Sequence, residues 1–193
     1  PKGPARRRQV GLVEVGIGDV GRGLCGGMAF VAADRFTRGE AAPAEDAPPP
    51  FGDSLFREVV DRQLDSFGRL FSVPLRFALA AFASDRQRRR DSVRLAWPAI
   101  RREIDGGRLA MVGLVRRSGF ALTAPDFGHQ VVAYRYEASA ERVTIGVYDP
   151  NHPGDDTVEL VLERSPEGEI SLAQSTGEPL LGLLALPWVA AER

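Results

Sequence analysis

Gly128-His-Gln-Val-Val-Ala-Tyr-Arg-Tyr-Glu-Ala-Ser-Ala-Glu-Arg-Val-Thr-Ile-Gly-Val-Tyr-Asp-Pro150 is the stretch that decides the fold. It reads as two strands, 129–137 and 142–149, rich in β-branched and aromatic residues and separated by the short polar link Ala138 to Glu141. Strands so closely linked pair as an antiparallel hairpin. The second strand is closed by Asp149-Pro-Asn-His-Pro-Gly154, a run of turn signals that leaves Asp149 at a strand end. The pairing is expected to set His129, early in the first strand, beside Asp149, late in the second. His152, the other of the two histidines, reads as a surface residue of the turn.

A carboxylate beside an imidazole fixes one ring nitrogen and leaves the other free to take a proton from a nucleophile. The chain offers one candidate thiol, in Gly21-Arg-Gly-Leu-Cys25-Gly-Gly-Met28. The run Met28 to Phe36 that follows holds neither Gly nor Pro and reads as a helix, so Cys25 stands at a helix start. Unpaired N–H groups and the helix dipole lower a thiol pKa there. The flanking glycines are expected to leave the sulfur accessible and to let backbone approach a ligand. Most unpaired cysteines are small buried hydrophobes, and the downstream histidine and carboxylate are what lift Cys25 above that reading.

The ordered set resembles the papain-like cysteine peptidase superfamily and is most similar to its compact bacterial branch, the peptidases that trim double-glycine leaders from bacteriocins. Four pieces carry the resemblance, in order: Cys25-Gly26; a helix at Trp97 to Ile104 followed by Gly106-Gly107 and a hydrophobic strand to Val115; Gly128-His129 with Val131 to Tyr136; and Val147-Tyr148-Asp149-Pro150. Together they span residues 10 to about 163. The resemblance implies a nucleophile at Cys25, a general base at His129 and an orienting group at Asp149, with Asn151 in the same turn as the alternative. It implies a hydrolase that needs no cofactor and no metal ion, acting on a peptide or a small amide or ester. One departure stands out. Where the family carries a glutamine whose amide helps form the oxyanion hole, this chain has Asp19, six residues before Cys25. A carboxylate cannot donate a hydrogen bond and repels a developing oxyanion. Either the Cys25 backbone N–H serves instead, or the chain is a catalytically impaired papain-fold module that binds a peptide or protein partner.

A competing motif sits nearby. Gly16-Ile-Gly18-Asp-Val-Gly21 fits the G-x-G-x-x-G dinucleotide fingerprint, with Val10 to Val15 as a strand and Asp34 as the acid. The fingerprint needs a full helix and a further strand before that acid, about 20 residues on. Gly21 to Asp34 is too short for both, and Gly23, Gly26 and Gly27 weaken any helix.

The rest of the chain fits one α+β domain over 10–193 behind a mobile basic tail, 1–9. Its N-terminal half is helical and its C-terminal half a mainly antiparallel sheet, the papain-like order. Arg38 to Gly52 is a proline-rich loop. Asp53 or Ser54 caps a helix through about Asp65; Val73 to Arg90 and Asp91 to Asp105 read as two more. Further strands are expected at 109–116, 156–163 and 169–174, with a last apolar stretch at 180–186. The 25 basic and 26 acidic residues nearly cancel, which gives no field for nucleic acid or lipid. Leu180 to Ala191 is too short for the roughly 20 residues of a membrane span, and Pro187 interrupts it. A single cysteine fits a reducing compartment such as the cytoplasm.

Overall fold

A computed structural model of the chain describes residues 9–10, 13–14, 24–43, 50, 52–119 and 128–191. Among them the helices all precede a six-stranded antiparallel sheet, an α+β architecture. Helix α1 spans Cys25–Thr37, α2 Ser54–Ser66, α3 Ser72–Phe82, α4 Asp85–Asp91 and α5 Trp97–Asp105. A two-residue ladder, β1 (Gln9–Val10) with β2 (Val13–Glu14), stands apart from the main sheet. The main strands are β3 (Ala110–Val115), β4 (Gly128–Ala138), β5 (Arg142–Tyr148), β6 (Glu159–Arg164), β7 (Ile170–Gln174) and β8 (Gly182–Leu186). Their order is β7-β6-β5-β4-β3-β8, every neighbour antiparallel.

Helices cover both faces of the sheet. On one face Val112, Leu114, Val131, Ala133, Ile145 and Val147 pack with Ala96 and Ile100. On the other, Met111, Val115 and Val132 meet Ala29, Phe30 and Ala33 of α1 and Val73, Phe77 and Ala81 of α3. A strand buried on both sides reads as an unbroken apolar run rather than an alternation, which is why Ala110 to Val115 carries no polar residue and is buried throughout. Edge strand β7 alternates instead.

Two helical boundaries differ from the sequence reading. Val73 to Arg90 is not one helix: Ala83 and Ser84 are extended, and the Ser84 hydroxyl caps α4 by accepting from the Gln87 N–H at 3.2 Å. The expected break at Asp91 does not occur, because α4 runs on through a π-helical turn at Ser92–Ala96 into α5. That turn sets the Ser92 hydroxyl to accept from the Leu183 N–H of β8 at 2.8 Å, so a side chain satisfies a polar group on an edge strand. The helix from Asp53 stands as read, with the Asp53 carboxylate accepting from the Leu55 N–H at 2.7 Å. No helix among the described residues is long and apolar enough to cross a membrane. The expected tail, except for Gln9 at its end, lies outside the described residues.

Candidate active site

The site forms at one end of the sheet, where β3, β5 and β7 finish and β4 begins. In the β4–β5 pairing Val132 stands opposite Tyr148, so Asp149 follows as the chain leaves β5 near the start of β4. Val131 and Val147 face one core, and the two-residue period of a strand puts His129 and Asp149 on that same side. There His129 Nε2 lies 2.5 Å from Asp149 Oδ1. His129 is 4% exposed and Asp149 fully buried, so the pair is shielded from competing water.

Helix α1 packs on the opposite face, and its first residue, Cys25, is hydrogen-bonded to His129. Since Nε2 is engaged by Asp149, the nitrogen toward the thiol is Nδ1. Backbone N–H groups of Gln130 and Gly26 also point at the sulfur. Burial alone pushes the Cys25 thiol up; the His129 hydrogen bond and charge and these two N–H groups outweigh it and hold the thiol below its ordinary range. Burial acts on His129 in the other direction, downward. The hydrogen bonds to Asp149 and Cys25, with their charges, overcome it and leave the ring pushed up to about 9. Burial raises Asp149, while His129, the Asn151 N–H and the charge of Arg116 bring it below its ordinary value. The three directions agree on one state: carboxylate, imidazolium and thiolate in a row.

The glycines after Cys25 serve close packing, beside a half-buried thiol. A Cβ on Gly27 would sit 2.1 Å from the Val59 carbonyl oxygen of α2, and one on Gly26 2.3 Å from Ser66 Oγ. The Gly27 N–H, one of the first-turn donors without an intrahelical partner, gives its hydrogen bond to Gln63 Oε1 at 2.8 Å. Two glycines thus let α2 lie against the start of α1 and hold the turn that carries Cys25.

The other sequence candidates fall out differently. Asn151 contributes through its backbone: its N–H donates to Asp149 Oδ1 at 2.8 Å, an Asx turn, while the residue is exposed. It is Asp149 that holds the ring. His152 is half-buried rather than a free surface residue, with Nε2 3.0 Å from Glu178 Oε1. Asp34, weighed above as a ribose ligand, is buried in α1 and paired with Arg62, whose Nε is 2.8 Å from Oδ2. Asp19 and the Gly16 to Gly21 stretch lie outside the described residues.

Two residues near Asp149, Gln174 and Arg116, carried no sequence signal. Gln174 Nε2 donates to Asp149 Oδ2 at 2.8 Å, and Arg116 donates to Gln174 Oε1 at 3.1 Å. Arg116 also stands 3.7 Å from Asp149 Oδ2 and 3.6 Å from Glu178 Oε1. Comparison of the chain with protein-family models, with curated proteins and with solved structures returned no match.

Proposed function

We propose that the protein is a papain-like cysteine peptidase or related thiol hydrolase, cleaving an amide or ester through Cys25, His129 and Asp149. The observation that supports this most is the hydrogen-bonded row from Cys25 through His129 to Asp149, with each pKa moved toward the charged form. In this reading the Cys25 thiolate attacks the carbonyl carbon, and the carbonyl oxygen takes the electron pair. As the tetrahedral intermediate collapses, the proton on His129 Nδ1 passes to the leaving amine or alcohol, giving a thioester on Cys25. His129 then removes a proton from water, which attacks the thioester, and the released sulfur and the ring return to their starting state. Asp149 keeps Nε2 engaged so that Nδ1 faces the sulfur. The Cys25 backbone N–H, in the first turn of α1, is the oxyanion donor in this scheme.

The second reading, a papain-fold module that binds a peptide or protein partner without cleaving it, is favoured by Asp19 in place of the family's glutamine. Loss of one oxyanion donor removes about 2.7–4 kcal/mol of transition-state stabilisation, which is enough to separate the two. Wild type and Cys25→Ala, assayed against pooled peptides and activated esters, distinguish them. Turnover by wild type that is absent from Cys25→Ala supports the hydrolase. No turnover by wild type, with peptide binding retained in both proteins, supports the binding module.

A further inference from the structure

We infer that Gln174 and Arg116 are a positioning pair that holds the Asp149 carboxylate in register with the His129 ring; this rests on the reading of Cys25, His129 and Asp149 as a thiol-hydrolase site. Asp149 is fully buried, and a carboxylate there needs its acceptor sites filled. Oδ1 receives the His129 ring at 2.5 Å and the Asn151 N–H at 2.8 Å. Oδ2 receives Gln174 Nε2 at 2.8 Å; Arg116, at 3.7 Å, supplies charge beyond hydrogen-bond reach. Gln174 is therefore the group that fixes the second oxygen, and with it the rotation of the carboxylate plane.

An amide can point either end at a neighbour, and Arg116 settles which. Its guanidinium has only donors, so Gln174 must turn Oε1 toward it, and Nε2 is left facing Asp149. Arg116 is itself held by Glu178 at 3.6 Å, and Glu178 by His152 at 3.0 Å and by the Thr176 hydroxyl. The groups facing Asp149 and its supports are thus His129 and Cys25 on one side and Arg116, Glu178 and His152 on the other. Gln174 and Arg116 both bear on Asp149, and through it on the His129 ring.

Alkylation of Cys25 by iodoacetamide, followed against pH, tests the pair, with thermal melting alongside. Wild type is expected to react well below pH 7, as a thiolate–imidazolium pair does. Gln174→Met keeps the shape and removes the donor; the inflection should rise by about one pH unit, roughly a tenfold loss of rate on the acid limb. Arg116→Met frees the amide to turn and should move it similarly, while Arg116→Lys retains a donor and should stay nearer wild type. These Arg116 variants give the same readout if Gln174→Met fails to fold. A lower melting temperature with an unmoved inflection in folded variants would show a structural role only and overturn the inference. An ordinary thiol inflection in wild type itself would overturn the reading of the site and the inference with it.

Discussion

Gly27→Ala separates two accounts of why glycines follow Cys25. Helix propensity alone predicts that alanine stabilises α1 by up to about 1 kcal/mol. The packing predicts the opposite. The new methyl would lie 2.1 Å from the Val59 carbonyl oxygen and 3.0 Å from Gln63 Cβ. The carbonyl is helix backbone and cannot swing aside, so α2 must move as a unit. Overpacking of this kind costs about 1–3 kcal/mol. The same shift stretches the buried Gly27 N–H to Gln63 bond, and a buried donor left short of its partner costs about 1–3 kcal/mol more. Set against the full propensity gain, the net loss is about 1–5 kcal/mol. For a chain of this size that lowers the melting temperature by about 2–20 °C. Urea unfolding measures it directly, and Gln63→Ala isolates the share owed to the hydrogen bond. A Gly27→Ala protein as stable as wild type, or more so, would refute the close approach of α1 and α2 at Cys25.

Two further outcomes follow from buried charges. Asp34→Ala leaves Arg62, only 12% exposed, without its main partner; the loss should be about 3 kcal/mol by urea unfolding, since Asp65 still pairs with it at 2.7 Å. The pH dependence of stability carries the signature of the Cys25–His129 pair. His129 rises from 6.5 to about 9, so its contribution is full below 6.5 and is lost as pH rises through about 9. Cys25 lies below its ordinary 9.0, so its contribution is present above 9.0 and is lost as pH falls through the lowered value. Where the lowered thiol has ionised and the ring still holds its proton, the folded pair carries one proton on the ring and the unfolded pair one on the thiol. Between pH 6.5 and about 9 the raised His129 alone makes stability fall with pH and the lowered Cys25 opposes that fall, so thermal melts should show a steeper decline in Cys25→Ala than in wild type. A wild-type slope above pH 6.5 that Cys25→Ala leaves unchanged would contradict the pairing.

The hairpin was legible because its signals are local. The β-branched and aromatic runs, the short polar link and the Asp149-Pro150 stop specify both strands, while a β-bulge between Ala133 and Arg135, which no local signal marks, shifts the register so that His129 and Asp149 share a face. Helix limits were less legible. Val73 to Arg90 is apolar and then basic without a Gly or Pro after Pro74, and only the Ser84-Asp85 cap marks the break. Conversely Asp91 and Ser92 look like a start, yet Ser92 is used inside the helix to reach β8. Gln174 and Arg116 were invisible for a different reason. They stand 25 and 58 residues from their partners Asp149 and Gln174, and they meet only because the strand order carries the ends of β3, β5 and β7 to one side of the sheet. The glycines at 26 and 27 were recognised as special, but their purpose depends on α2, whose position no local pattern reveals.

The central claim is that His129 activates Cys25. The most direct measurement is the rate of Cys25 alkylation against pH in wild type and His129→Ala, both checked for folding. The account predicts a wild-type thiol that reacts well below pH 7 and a His129→Ala thiol whose reaction begins near the ordinary range of about 8.5 or above. Identical profiles in the two proteins would contradict it.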